Sequence, residues 1–177
     1  EEAWNAMLID SAALELARDP EGLMRMLGPG QLWEILSRAY ELSRASNHPR
    51  CFRQFWERLK ITAIQARIVP AQDGSVQCPS GVFLPRTPLD ALEAKTLLEV
   101  GGRTASEELR RYYTAMTQLG APILTLERLV ALLERAMPPS DTEEPVPEPR
   151  LLEFYLPLWG IIDDLLPDGS PAATANS

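Results

Sequence analysis

Apolar residues recur every three or four positions along most of the chain, which is the spacing typical of amphipathic helices. This periodicity predicts helices over 4–17, 21–27, 32–42, 52–63, 87–100, 104–119, 126–137 and 151–166. The polar residues between the apolar ones leave one face of most of these helices for solvent and the other for a core.

Helix boundaries are predicted from capping and breaking residues. Thr87 fits an N-cap, with Asp90 at the third helical position, and Thr104 with Glu107 matches a capping box. The Gly-Pro-Gly triplet at 28–30 is predicted to end the helix over 21–27, because proline cannot continue the hydrogen-bond ladder.

The stretch 66–85 departs from the helical pattern. Ile68 and Val69 are β-branched, Asp73-Gly74 is typical of a hairpin turn, and the run 82–84 is a second apolar segment. We therefore predict a mostly helical α+β fold, with helices packed around a small antiparallel hairpin or three-stranded sheet.

Four segments are predicted from these patterns. A helical domain spans 1–137 and contains the hairpin at 66–85. A linker rich in proline and acidic residues spans 138–149, because such a composition extends the chain and resists packing. A C-terminal docking helix spans 150–166, and a disordered tail spans 167–177.

The last helix has two apolar stripes rather than one. One comprises Leu151, Phe154, Tyr155, Leu158, Ile162 and Leu165, and the other comprises Leu152, Leu156 and Trp159. A helix that is apolar on two sides must bury both. Either it folds back onto its own core, or Leu152, Leu156 and Trp159 form a partner-binding face for a neighbouring domain or another protein.

Composition narrows the function classes. The 177 residues carry a formal net charge of −8, which disfavours nucleic acid and anionic membrane surfaces as partners. Two cysteines are too few for a disulfide framework, so a reduced cytoplasmic location is expected. No apolar run is long enough to span a bilayer. The chain begins at Glu1 without methionine, and we expect it to be part of a longer protein.

Few residues are candidates for catalysis or metal binding. His48 and Cys51 could form a nucleophile–base pair or half of a metal site. The pattern contains neither the further ligands that zinc needs nor an acid placed to orient the imidazole. Cys78 could approach Cys51, although a free thiol is the simpler interpretation. The adjacent acids at 107–108 and 163–164 point in different directions on a helix. No catalytic, cofactor-binding or metal-binding residue is therefore predicted.

The middle of the chain resembles a hairpin of sacsin-like proteins. The residues that carry the resemblance are Ile68-Val69-Pro70, Asp73-Gly74, Pro79 and Val82-Phe83-Leu84-Pro85, followed later by Leu119-Gly120-Ala121-Pro122 and Thr125-Leu126. Sacsin-like proteins are large chains with a GHKL (histidine-kinase/gyrase/chaperone type) ATPase domain. The acid-and-asparagine helix and the glycine motifs of that ATPase do not match here, so the resemblance implies a downstream, non-ATPase segment.

Three functions from different classes remain. The leading hypothesis is a non-catalytic interaction or scaffold module within a larger, chaperone-like ATPase. The second is a small cytoplasmic enzyme with a pocket that uses Cys51, Cys78 or His48. The third is an acidic adaptor or nucleic-acid-associated regulator. Residues 109–137 could mimic a helix-turn-helix, but Glu127 and Glu134 on the second helix and the acidic chain favour plain helix packing.

Overall fold

A computed structural model describes residue 11 and residues 18–45, 50–136 and 148–166. Within these ranges the protein is a mostly helical α+β fold with a two-stranded antiparallel sheet. None of the helices in these ranges has the length and apolar character that crossing a membrane requires. The predictions for His48, for most of the helix over 4–17, for 138–147 of the linker and for the tail lie outside the described residues.

The α-helices in these ranges are α1 (Pro20–Arg44), α2 (Arg50–Ala63), α3 (Ala91–Glu99), α4 (Tyr113–Gln118), α5 (Leu126–Ala136), α6 (Glu148–Arg150) and α7 (Leu156–Leu165). Short 3-10 helices cover Pro79–Gly81 and Glu107–Tyr112, and a π-helical segment covers Leu151–Tyr155. The strands are β1 (Val69–Pro70) and β2 (Val76–Gln77).

Helix α1 is interrupted at Gly28. Its φ of 74° lies in the left-handed region, which glycine adopts without steric cost. Pro29 then has no N–H to donate to the helical ladder. The break predicted at 28–30 is confirmed. Asp19 caps the start of α1, because its carboxylate accepts from the Gly22 N–H at 2.8 Å.

The hairpin turns at the predicted dipeptide. Asp73 Oδ1 accepts from the Ser75 N–H at 3.0 Å, and Gly74 has a φ of 79°. Ala71 N–H donates to Ser75 O at 2.8 Å, so the strands continue directly from the turn. The register pairs Val69 with Gln77.

The second strand lies earlier than predicted. It is Val76–Gln77 rather than 82–84, because the 3-10 helix at Pro79–Gly81 turns the chain away from β1. The run 82–84 instead makes parallel bridges, from Phe83 to Thr104 and from Leu84 to Ile123.

Two predicted caps are wrong in detail. Asp90, not Thr87, caps α3: its carboxylate accepts from the N–H groups of Leu92 and Glu93, and Glu93 completes the capping box. Thr104 caps no helix. Its backbone pairs with Phe83, and its hydroxyl donates to the Gln72 side chain at 2.9 Å. Tertiary pairing therefore overrides the local capping pattern.

The chain divides into two compact units. The first comprises 1–84 and 104–123, and its core surrounds Trp33. Trp33 is fully buried, and its indole N–H donates to the Ile68 carbonyl at 2.9 Å. Tyr112 is buried in the same unit, and its hydroxyl lies 2.9 Å from a Glu34 carboxylate oxygen and 3.1 Å from Gly30 O.

The second unit comprises 85–103 and 124–177. Helix α3 packs against α7 and against the π-helical segment. The buried residues of this unit include Leu97, Leu129, Phe154 and Ile161. A Cβ added at Gly102 would lie 2.8 Å from Leu97 Cγ and 3.0 Å from Leu132 Cδ1, so the packing there depends on glycine.

Candidate docking site on the C-terminal helix

Pro157 explains the unusual start of the C-terminal helix. A proline has no N–H for the carbonyl four residues earlier, and its ring crowds that carbonyl. In this helix the carbonyl belongs to Glu153, and the Thr96 hydroxyl donates to it at 3.4 Å instead. The turn before Pro157 widens into the π-helical segment, in which Leu156 N–H donates to Leu151 O.

The inner face of this helix belongs to the core of the second unit. Phe154 and Ile161 are fully buried, and Leu158 is 7% exposed. Arg150 covers the edge of this face: its guanidinium lies 4.1 Å from the Phe154 ring centre and forms a 2.8 Å ion pair with Glu99. One side of the helix therefore has its apolar surface satisfied within the unit.

The opposite face carries Leu152, Leu156 and Trp159, which we call the outer apolar stripe. Their side chains are 56%, 59% and 63% exposed, respectively. Leu156 and Trp159 are three residues apart on α7, so they lie on one face, and Leu152 is four residues before Leu156. Fully burying such a side chain against a partner would stabilise the complex by about 1.5–3 kcal/mol. The stripe therefore offers apolar surface that a partner can bury.

Acidic residues border the outer apolar stripe, and we call Glu153, Asp163 and Asp164 the acidic rim. All three are exposed. Asp163 follows Trp159 by four residues and so lies one turn further along the same face. Asp164 accepts a hydrogen bond from the Thr87 hydroxyl. A Cβ at Gly160 would lie 2.7 Å from Glu93 Oε1, so this carboxylate also lies beside α7.

Sequence periodicity misassigned two residues of the two stripes. Leu151, expected on the same stripe as Phe154, is 45% exposed, whereas Ile161, assigned to neither stripe, is fully buried. The π-helical segment changes the angular phase of Leu151 relative to the residues after it. Pro157 was the available signal for this shift. Ile161 lies three residues after Leu158 in the regular part of the helix, so it fits the ordinary period.

Two other described apolar side chains are even more exposed than the outer apolar stripe. Met26 on α1 and Ile61 on α2 are highly exposed but stand on separate helices, and single exposed apolar residues are ordinary on protein surfaces. Ile61, at 71% exposure, is a matched control for substitutions in the outer apolar stripe.

The residues considered as nucleophile, base or metal ligand do not form a site within the part of the chain that the structure describes. Cys78 is half-buried, and its Sγ lies 3.5 Å from the Ser80 hydroxyl. His48 and the Cys51 side chain lie outside the part of the chain that the structure describes. Within that part, no group of three or more His, Cys, Asp or Glu residues could hold a metal ion.

An open groove lies in the first unit, lined by Ser37, Tyr40, Glu41, Arg44, Ala45, Arg111 and Thr114. The two arginine side chains of this lining already make cation–π contacts. The Arg44 guanidinium lies 5.7 Å from the Tyr40 ring centre, and the Arg111 guanidinium lies 4.7 Å from the Tyr112 ring centre. The groove lining contains neither histidine nor cysteine, and we do not assign a reaction to it.

Burial raises the pKa of the Tyr112 hydroxyl above its ordinary value of 10.0, and the hydrogen bond to Glu34 adds to the shift. Burial likewise raises the pKa of Tyr113. Both tyrosines lie in the first unit and away in sequence from the outer apolar stripe. Their shifts report packing around α1 rather than a catalytic acid or base.

Comparison of the chain with protein-family models, curated proteins and solved structures finds no match.

Proposed function

We propose that this chain is a non-catalytic protein-interaction module and that the outer apolar stripe is its docking face. The supporting observation is the asymmetry of the last helix. Phe154 and Ile161 are buried on its inner side, while Leu152, Leu156 and Trp159 are each more than half exposed on the other. Aligned large apolar residues at helical spacing are the usual anchors when a partner helix docks.

A peptide-display selection tests this docking face and does not require the natural partner to be identified. Peptides selected on the wild-type chain are re-tested on the variant L156S/W159S and on the control I61S. We expect the dominant binders to lose affinity for L156S/W159S by at least about tenfold, since each loses an apolar anchor. Binders that lose affinity for I61S and retain it for L156S/W159S would contradict the proposal.

The proposed absence of catalysis has a separate test. The purified chain is incubated with ATP and magnesium, and phosphate release and nucleotide binding are measured. We expect neither, because the sequence lacks a match to the acid-and-asparagine helix and glycine motifs of the GHKL ATPase. Stoichiometric nucleotide binding or clear turnover would end the assignment as a non-catalytic module.

We also propose a setting for this module, in a larger, cytoplasmic, chaperone-like ATPase of the sacsin-like type. The support is the resemblance over 66–85, with a turn at Asp73-Gly74 between helical regions. Such a module would relay conformational change between neighbouring domains through its docking face. Sequencing the full reading frame tests this setting: a frame that encodes no GHKL motif set would overturn it and leave the docking face standing.

A further inference from the structure

The chemistry of the partner follows from the charges around the outer apolar stripe, and this inference rests on the proposed docking function. We propose that the stripe binds a basic amphipathic helix of another protein. In such a helix, apolar residues at positions i, i+3, i+4 and i+7 would contact Leu152, Leu156 and Trp159. Lysine or arginine residues beside them would face the acidic rim.

The charges beside the stripe are one-sided. Glu153, Asp163 and Asp164 are exposed acids, whereas the basic residue of 148–166 is Arg150. Arg150 forms an ion pair with Glu99 at 2.8 Å and stacks on Phe154 on the inner side. Its charge is therefore offset, and a docking partner meets a negative border around an apolar centre.

The described residues of the second unit carry the same sign. The ranges 85–103, 124–136 and 148–166 hold nine acidic and six basic residues, a net charge of −3. A field of one sign raises the association rate of oppositely charged partners and suppresses like-charged ones. The apolar stripe supplies affinity, and the charge selects the partner.

This charge pattern argues against the competing occupants. A second copy of the chain would bring the same Glu153, Asp163 and Asp164 with its own stripe, and like charges across an interface are unfavourable. An acidic helix meets the same repulsion. A basic helix combines apolar contact with opposite charge, and it is the occupant to which both features of the surface are complementary.

Three fluorescein-labelled peptides of equal length test the inference by fluorescence anisotropy on the full chain. The first is a helix with leucine at i, i+3, i+4 and i+7 and lysine on its flanks. The second replaces every lysine with glutamate. The third has the composition of the first in scrambled order, so it keeps the charge and loses the stripe.

We expect the basic helix to bind at least about tenfold more tightly than either of the other peptides, and to weaken several-fold from low to high salt. The variant L156S/W159S should lose this binding, and I61S should retain it. The rim variant E153Q/D163N should reduce the preference for the basic over the acidic helix by several-fold, without loss of stripe-dependent binding.

Each contrary outcome identifies what has failed. Equal, stripe-dependent binding of the basic and acidic helices would overturn the charge inference and leave the docking function intact. Binding of the scrambled peptide as tightly as the basic helix, unaffected by L156S/W159S, would overturn both. Self-association in sedimentation velocity that L156S/W159S abolishes would make a second copy the occupant and overturn the inference.

Discussion

Trp33 lies on α1 and Trp159 lies on α7, yet Trp33 is fully buried and Trp159 is 63% exposed. Around Trp33 the first unit supplies neighbours on all sides and an acceptor for the indole N–H, the Ile68 carbonyl at 2.9 Å. Trp159, by contrast, lies on the outer side of its helix. The second unit packs against the opposite side, which carries Phe154 and Ile161.

The difference shows that an apolar helical stripe does not by itself say whether it is core or surface. Whether such a stripe is buried depends on whether the rest of the unit packs another element against it. If this comparison is correct, substitutions at Trp33 and at similarly enclosed positions should cost stability. Substitutions in the outer apolar stripe should cost binding instead.

The largest effect is expected at Trp33. Trp33→Ala should destabilise the protein by about 3–5 kcal/mol, because it removes a large buried side chain and leaves a cavity. Trp33→Phe keeps most of the volume and removes the N–H donor, and should cost about 1–3 kcal/mol for the unpaired Ile68 carbonyl. Urea unfolding measures both. Equal losses for the two variants would show that volume contributes nothing.

The interior of the second unit is tested at Gly102. Gly102→Ala should cost about 1–3 kcal/mol, because the added methyl would meet Leu97 Cγ at 2.8 Å and Leu132 Cδ1 at 3.0 Å. Gly30→Ala is the control: the space around Gly30 is open, and alanine is the better helix former, so stability should rise by about 0.5–1 kcal/mol. A neutral Gly102→Ala would mean that this unit is loosely packed.

Removing the N-cap of α3 in the second unit should have a smaller effect on stability. Asp90→Ala should cost about 1 kcal/mol, since the Asp90 carboxylate accepts from two N–H groups at the start of α3. Thr87→Ala is the comparison at the position that the sequence favoured for the cap; it removes only the exposed hydrogen bond to Asp164 and should cost less. Thermal unfolding that ranks Thr87→Ala as the more harmful change would contradict the observed cap.

The hydroxyl of Tyr112 gives the smallest of the core effects and a pH dependence. Tyr112→Phe should cost about 0.5–1.5 kcal/mol below pH 10, because one hydrogen bond is lost. The pKa of Tyr112 is raised in the folded state by burial and then by Glu34. The unfolded chain therefore releases this proton first, and the stabilisation is present below pH 10 and lost as pH rises through the raised pKa.

Alkaline unfolding curves of wild type and Tyr112→Phe measure that contribution. The difference in stability between the two should shrink as pH rises above 10, since the phenylalanine variant has no hydroxyl to ionise. Tyr113 titrates in both proteins and cancels in the comparison. A difference that widens with rising pH would give Tyr112 the opposite shift.

Within the described residues, the sequence predicted most of the helices, the break at Gly28 and the turn at Asp73-Gly74, because each depends on residues close together in the chain. It misplaced what depends on distant partners. Thr104 has a good capping pattern, but it pairs with Phe83.

The same limit applies to the candidate site. The residues Leu152, Leu156 and Trp159 could be named from their spacing, but their exposure could not, because it depends on which helices cover them. The error over Leu151 came from the π-helical segment before Pro157, which a fixed helical period does not represent. Ile161 follows Leu158 by three residues within α7, so the ordinary helical period was sufficient to place it on the buried face.

The proposed docking function requires that the outer apolar stripe contribute little to the stability of the fold. The direct measurement is the unfolding free energy of the variant L152S/L156S/W159S of the full chain, obtained by urea denaturation beside wild type. We expect a change within about 1 kcal/mol, as for exposed positions. A loss of several kcal/mol would show that these three side chains belong to a core and would contradict the proposed docking function.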